Sequence, residues 1–204
     1  MHVIGLTGGV GSGKSTVSQF LQELGVALLD ADVLGHESYL PNTACWKDLV
    51  ETFGPEILLP SQEIDRKKLG GIVFSDPAML EQLNAIVWPH IRNLALERLE
   101  AWRSDGQEAV VLEAAILIEA KWTSLADEVW VTETPEDVVV KRVLARNPTW
   151  GEEQIRARIN SQLSNEERAK HAHVVIDTDK DISDLKSHVQ SLYRDRVAAK
   201  SSGS

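Results

Sequence analysis

The sequence has 204 residues, of which 43% are apolar, and its formal net charge is −10 at pH 7. This length supports one hydrophobic core with an inserted subdomain, whereas two independent domains would be a tight fit. The negative charge argues against a general nucleic-acid-binding protein, which needs cations to displace phosphate counterions. The lone Cys45 cannot form an internal disulfide, and no apolar run is long enough to span a bilayer. We therefore expect a cytoplasmic protein without membrane contact.

Short runs rich in β-branched residues indicate five buried strands: Val3–Thr7, Val26–Asp30, Ala109–Glu113, Val129–Thr132 and Val174–Asp177. Their near-continuous apolar character is typical of a parallel sheet that is covered on both faces. Between the first two runs lies an amphipathic helix, in which Val17, Phe20 and Leu21 share one face. The alternation of strand and helix predicts a doubly wound α/β fold with a five-stranded parallel sheet.

The segment from Gly8 to Ser15 reads G-G-V-G-S-G-K-S, which matches the P-loop pattern G-x-x-x-x-G-K-S without a mismatch. It follows a predicted strand and opens a predicted helix, as this motif requires. Its glycines allow backbone N–H groups to converge on phosphate oxygens, and the helix N-terminus adds positive potential. The motif therefore predicts a P-loop NTPase-type fold that binds a nucleoside triphosphate through Gly9, Gly11, Ser12, Gly13, Lys14, Ser15 and Thr16.

Three side chains of this segment have separate predicted roles. Lys14 is expected to bridge the β- and γ-phosphates and to offset the charge that moves during transfer. The Ser15 hydroxyl is expected to bind Mg²⁺, and Thr16 is in reach of the α-phosphate. A purely structural strand-to-helix turn would explain the glycines but not the lysine and serine that follow them.

Asp30-Ala31-Asp32 closes the second predicted strand, at the sheet edge that also carries the P-loop. In an extended segment the two carboxylates point to one side, and one of them could accept the proton of an attacking hydroxyl. The alternative is an N-cap for a helix that starts near Val33. The spacing alone does not decide between these interpretations.

The stretch of residues 31–108 is far longer than the roughly 12 residues that a crossover connection needs. Asp76-Pro77 is typical of a helix start. The helical spacing then continues through Leu80, Leu83, Val87, Ile91 and Leu94, with Pro89 as an expected kink. We predict an inserted helical subdomain at the carboxyl end of the second strand, where open α/β sheets bind ligands.

Residues 144–170 are rich in arginine, glutamate and glutamine. One interpretation is a solvated helix pair joined by salt bridges. The other is a mobile lid that brings arginines over bound phosphates. Composition alone favours the first interpretation. The final residues 201–204 are interpreted as a disordered tail or a cloning remnant.

Several of these segments together resemble the dephospho-CoA kinase family, which phosphorylates the ribose 3′-hydroxyl of dephospho-CoA with ATP. The resemblance begins with T-G-G-V-G-S-G-K-S-T at residues 7–16 and D-A-D at residues 30–32. The resemblance extends over nearly the whole chain. Its further matches are His36-Glu37, D-R-K-K-L-G at 65–70, Val73-Phe74, D-E-V-W-V at 127–131, Arg142, Arg146, Gln162 and Arg168.

The resemblance implies a single kinase domain over residues 1–200, with its core formed by residues 1–30, 109–143 and 171–198. Residues 31–108 would be the helical acceptor-binding insertion, and residues 144–170 would be the helical lid. Four residues would be catalytic: Asp32 as general base, and Lys14, Arg142 and Arg146 as stabilisers of phosphate charge. ATP and Mg²⁺ would be the cofactors, with the metal held by Ser15 and Glu113. The partner would be a small acceptor, dephospho-CoA, and the protein a monomer or small homo-oligomer.

The chain departs from the family pattern at three places. Trp88-Pro89 stands where the family has His-Pro, Glu113 replaces an aspartate after the third strand, and Thr178-Asp179-Lys180 replaces Asn-x-Gly beside the adenine pocket. Two alternatives follow: a P-loop kinase for another hydroxylated acceptor, such as a nucleoside or nucleotide, and a nucleotide-binding module that has lost catalysis. The intact phosphate-binding residues speak against the second alternative.

Overall fold

The structure is a computed structural model that describes residues 1–199, so the predicted tail at 201–204 lies outside the described residues. Its strands are β1 (His2–Gly8), β2 (Ala27–Asp30), β3 (Ala109–Glu113), β4 (Glu128–Glu133) and β5 (Val174–Asp177). Its α-helices are α1 (Lys14–Gln22), α2 (Ala31–Ser38), α3 (Ala44–Phe53), α4 (Arg66–Val73), α5 (Pro77–Ser104), α6 (Glu136–Arg146), α7 (Glu152–Asn160), α8 (Asn165–Ala169) and α9 (Ile182–Tyr193). Single helical turns lie at Pro55–Ile57, Trp122–Leu125 and Arg194–Ala198.

The five strands form one parallel sheet in the order β2-β3-β1-β4-β5, which confirms the predicted α/β fold. The central strand β1 pairs in parallel with β3 and β4, so that Leu6 lies opposite both Glu113 and Trp130. Strands β2 and β3 lie on one side of β1, and β4 and β5 lie on the other, so the sheet has a topological switch point at β1. A crevice at the carboxyl ends of the strands is expected at such a switch point, and the P-loop begins there.

The sheet is covered on both faces, which explains why its strands are almost continuously apolar. On one face, Ile4 and Leu6 pack in a single buried cluster with Leu21 of α1 and Val189 of α9. On the other face, a Cβ added to Gly5 would lie 2.8 Å from Leu117 Cδ2. Burial of each such side chain contributes about 1.5–3 kcal/mol, so the strand that leads into the P-loop is firmly held.

The chain forms two compact units. The first contains residues 1–29 and the chain from residue 101 onward, and the second contains residues 30–100. The second unit is helical and has its own buried cluster, formed by Cys45, Leu49, Phe53, Ile57, Ile64, Leu69 and Val73. Its helix α5 begins as expected, with Asp76 Oδ1 accepting a 2.9 Å hydrogen bond from the Ala78 amide, and it continues through Pro89 over 28 residues.

Candidate active site

The P-loop connects the end of β1 to the first residue of α1, and two of its glycines adopt conformations that other residues avoid. Gly11 has a φ of +68° and Gly13 a φ of +89°, both in the left-handed region. A Cβ at Gly11 would also lie 3.0 Å from Val139 Cγ1, and one at Gly13 would lie 3.0 Å from Thr178 Oγ1. The glycines therefore serve both the turn and the close packing around it.

The N-terminus of α1 is prepared for an anion. Gly13 is its N-cap and offers no side-chain acceptor, and the first turn contains no acidic residue. The N–H groups of this turn and the helix dipole both favour a phosphate at this end. Ser12 is buried, and its Oγ lies 2.7 Å from Thr132 Oγ1, which ties the loop to β4.

Lys14 lies across the beginning of the P-loop. Its Nζ donates hydrogen bonds to the carbonyl oxygens of Gly8 at 2.9 Å and Gly9 at 3.1 Å. The ammonium group is therefore held over the end of the loop next to β1, where it can reach the terminal phosphates of a bound nucleotide.

Ser15 and Glu113 lie next to each other, at the start of α1 and the end of β3. The Ser15 hydroxyl donates to Glu113 Oε1 at 3.3 Å, and Ser18 donates to Glu113 Oε2 at 2.5 Å. The Ser18 hydroxyl orients the carboxylate and leaves its other oxygen towards Ser15. A hydroxyl beside a carboxylate oxygen is a suitable donor pair for a hard cation such as Mg²⁺.

Thr178, directly after β5, joins the P-loop to Arg142. Its side chain is 2% exposed, and its hydroxyl donates to the Ser12 carbonyl at 2.9 Å. The Arg142 guanidinium donates to Thr178 Oγ1 at 3.0 Å and to the Thr178 carbonyl at 2.7 Å. Two parallel bonds fix the plane of the guanidinium. The departure from the family pattern at residue 178 therefore supplies an anchor for Arg142.

The segment of residues 144–170 contains α7 and α8 and shows features of both interpretations. Arg156 pairs with Glu152 at 2.7 Å and also with Glu136, as expected for a solvated, salt-bridged helix. Gln162, in contrast, reaches the P-loop, where its Oε1 accepts a 2.9 Å hydrogen bond from the Val10 amide. Arg168 is 2% exposed and lies beside Gly9. Arg146 is exposed at the last residue of α6, away from these contacts.

The extended geometry assumed for Asp30-Ala31-Asp32 is wrong, because α2 begins at Ala31. Asp30 is the N-cap, and its Oδ1 accepts hydrogen bonds from the amides of Asp32 at 2.8 Å and Val33 at 3.4 Å. Capping groups satisfy the open N–H groups of a helix start, and this local gain ends the strand before Asp32. Asp32 itself is exposed in the first turn of α2.

The second unit contains a cavity of about 290 Å³. Its walls are mainly apolar, with Phe74, Leu83 and Trp88 among them, and Arg66 supplies a cation. Phe74 is 76% exposed, although it is a large aromatic side chain. His90, two residues beyond Trp88, is not among the residues that line this cavity, and it pairs with Asp48 of α3 at 3.1 Å.

The family model for dephospho-CoA kinase matches residues 2–184 of this chain. The chain belongs to the dephospho-CoA kinase family. A dephospho-CoA kinase of Dehalococcoides mccartyi is 42% identical over 197 residues, which cover 97% of this chain and 98% of the relative.

Solved structures agree with the family in fold. The Thermus thermophilus protein TT1252 matches with a TM-score of 0.80 and 30% identity, covering 96% of this chain and 97% of its own. A dephospho-CoA kinase from Campylobacter jejuni has the same fold, with a TM-score of 0.73 and 24% identity over 97% of this chain and 98% of its own.

Membership of the dephospho-CoA kinase family confirms the predicted family and the predicted enzyme class. That class is the phosphotransferases that complete CoA synthesis. A kinase family implies ATP as phosphate donor. Neither the alternative acceptor nor the non-catalytic module is favoured by these relatives. Over residues 1–199 no helix is long and apolar enough to cross a membrane.

The residues predicted for the site do not include Thr178 or Arg168, although both lie against the P-loop of this dephospho-CoA kinase family member. For Thr178 a signal existed, because it follows β5 directly and so lies at the ligand-binding edge of the sheet. Nothing in the local sequence indicates that Arg168 is buried, since Glu167 and Lys170 beside it are exposed and form an ion pair.

Proposed function

We propose that this chain transfers the γ-phosphate of ATP to the ribose 3′-hydroxyl of dephospho-CoA, giving ADP, CoA and a proton. The observation that carries the proposal is the intact phosphate site, in which Lys14 and the Ser15–Glu113 pair lie at the N-terminus of α1. A chain that had lost catalysis would have no need to preserve all three groups in this arrangement.

The donor phosphates would lie in the P-loop, which corresponds to the predicted set of residues 9 and 11–16. Backbone N–H groups and the dipole of α1 bind and orient the phosphates. Lys14 stabilises the charge that shifts towards the β-phosphate as the γ-phosphoryl group leaves. Arg142 and Arg146 are proposed to add positive charge from α6, with Arg142 already oriented by Thr178.

Ser15 and Glu113 are proposed to hold Mg²⁺, either directly or through a bound water. When bound, the cation would neutralise charge on the β- and γ-phosphate oxygens. Over residues 1–199 no group of three or more His, Cys, Asp or Glu side chains could hold a metal on its own. This fits Mg²⁺, which proteins usually bind through one or two side chains together with substrate phosphates and water.

Asp32 is proposed to accept the proton of the attacking hydroxyl. The two aspartates of the D-A-D motif have different roles. Asp30 is the N-cap of α2, so the carboxylate left for the hydroxyl is that of Asp32. Among residues 1–199, none donates a hydrogen bond to the Asp32 carboxylate, which is exposed and available to a ligand. A base needs such an accessible carboxylate within hydrogen-bond reach of the hydroxyl.

The helical insertion, predicted at residues 31–108, is proposed to bind the acceptor. Dephospho-CoA combines a flexible pantetheine arm with a diphosphate, so its site needs apolar walls and at least one cation. The cavity of about 290 Å³ in the second unit offers Phe74 and Leu83 as apolar walls and Arg66 as the cation. Trp88, which stands where the family pattern has a histidine, gives this wall a large, partly apolar surface.

A panel of acceptors tests the proposal. Purified protein would be incubated with Mg·ATP and dephospho-CoA, adenosine or AMP, and the products compared by mass and retention time with authentic CoA. We expect a product heavier by one phosphate, co-eluting with CoA, from dephospho-CoA alone. A higher kcat/KM for adenosine or AMP would overturn the acceptor assignment. Nucleotide binding without transfer to any of the three would overturn the kinase assignment.

A further inference from the structure

Arg168, the last arginine of the 144–170 segment, is the least satisfied charged group near the P-loop. Its side chain is 2% exposed, and its Nε and Nη2 have no hydrogen-bond partner among residues 1–199. Within the part of the chain that the structure describes, only Nη1 is engaged, by the carbonyl of Leu163. A buried guanidinium with open N–H groups carries a large free-energy penalty, which proteins accept where a ligand later supplies the anion.

The surroundings of Arg168 form a cavity rather than a packed core. The cavity measures about 300 Å³ and is lined by Gly9 and Val10 of the P-loop, Thr134 after β4, and Gln162 and Arg168 of the helical segment. A Cβ placed on Gly9 would lie 3.5 Å from Arg168 Nη1. The guanidinium thus lies against the backbone of the phosphate-binding loop.

Carboxylates near Arg168 do not neutralise it directly. Glu136 also lines the cavity, but Arg156 binds its carboxylate. Glu119 is close enough to act electrostatically, yet among residues 1–199 it forms no ion pair with Arg168 within 4.0 Å. Burial lowers the pKa of the Arg168 guanidinium, and the Glu119 carboxylate opposes this change. The group remains cationic at neutral pH because arginine starts from a very high pKa.

The position of Arg168 along the P-loop identifies the end of the nucleotide that it faces. Lys14 Nζ bonds to the carbonyls of Gly8 and Gly9, and Arg168 lies against the same Gly9. Thr178, in contrast, packs against Gly13 at the opposite end of the loop. Lys14 is the residue that reaches the β- and γ-phosphates in this motif, so Arg168 shares the terminal-phosphate end.

We infer that Arg168 is a phosphate-binding residue whose open guanidinium edge, Nε and Nη2, donates to the terminal phosphate of the bound triphosphate. The inference rests on the proposed function, from which it takes ATP as the bound nucleotide. It adds Arg168 to the residues that bind this nucleotide. Gln162 holds the same segment on the loop through the Val10 amide, so Arg168 is positioned before the nucleotide arrives. A diphosphate leaves this edge without a partner, so Arg168 distinguishes ATP from ADP.

The test compares Arg168→Met with Arg158→Met, which removes an exposed arginine that stacks on Trp150 in the same segment. Binding of a non-hydrolysable Mg·ATP analogue and of Mg·ADP would be measured by calorimetry, without any acceptor. For Arg168→Met we expect affinity for the ATP analogue to fall about 10- to 150-fold, as expected for loss of charge-assisted hydrogen bonds, with ADP affinity nearly unchanged. Arg168→Lys should recover part of this loss, and Arg158→Met should change neither affinity.

The melting temperature without nucleotide separates this role from a structural one. Because methionine removes a buried charge that no carboxylate neutralises directly, the Arg168→Met protein should melt at or above the temperature of the wild type. Equal losses of ATP-analogue and ADP affinity, or a lower melting temperature with the ATP-to-ADP ratio preserved, would overturn the inference. Failure of the wild type to phosphorylate dephospho-CoA would overturn the proposed function alone, because these binding measurements need no acceptor.

Discussion

Replacing Thr178 by valine removes one buried hydroxyl while keeping the shape of the side chain. In the structure that hydroxyl donates to the Ser12 carbonyl at 2.9 Å and accepts from Arg142 Nη1 at 3.0 Å. The Ser12 carbonyl and one N–H of Arg142 would lose their partner, and a buried group left unsatisfied costs about 1–3 kcal/mol. Arg142 keeps its bond to the Thr178 carbonyl, so we expect a total loss of about 1.5–3 kcal/mol in the free energy of unfolding.

Thr134 provides a matched control, because it is equally buried but its hydroxyl has no hydrogen-bond partner within residues 1–199. Thr134→Val should leave the free energy of unfolding unchanged or raise it by up to about 1 kcal/mol. For a chain of this size, Thr178→Val should lower the melting temperature by about 3–12 °C. Thermal and urea unfolding without nucleotide would measure both variants. A Thr178→Val protein as stable as Thr134→Val would refute the assigned hydrogen bonds.

Three further changes test individual groups of the site. Asp32→Asn should lower kcat by about 10²- to 10⁴-fold with little change in ATP affinity, since only proton transfer is removed; an equal effect on both would assign Asp32 to binding instead. Glu113→Gln should raise the Mg²⁺ concentration needed for half-maximal activity, because a charged ligand becomes neutral, and an unchanged Mg²⁺ titration would remove Glu113 from the metal site. Phe74→Ala should raise KM for dephospho-CoA while KM for ATP stays constant, and a constant KM for both would place the acceptor elsewhere.

The sheet and the P-loop could be predicted from sequence because both depend on local patterns. Strands β3 and β5 begin and end at the predicted residues, since a run of β-branched residues bounded by polar ones is a local signal. The N-cap at Asp76 and the glycine turn before Lys14 are likewise set by neighbouring residues. The strand order could not be predicted, because it depends on pairings between residues far apart in the sequence, such as His2 with Ala109.

The candidate site was predictable only where a residue's role depends on its own segment. At Asp30-Ala31-Asp32 two local preferences compete, and capping by Asp30 starts the helix before Asp32. Arg168 follows four polar residues and gives no sign of burial, because the contact with Gly9 comes from a segment more than 150 residues away. Charge and position in the sequence cannot distinguish it from the solvated Arg156.

The measurement that tests the central claim most directly is ADP release from Mg·ATP, with and without dephospho-CoA, by the wild type and by Lys14→Ala. We expect release in the wild type to depend on dephospho-CoA and to be accompanied by CoA in equal amount. In Lys14→Ala the rate should fall by orders of magnitude although the protein stays folded. Release that does not respond to dephospho-CoA, or that survives in Lys14→Ala, would contradict the account.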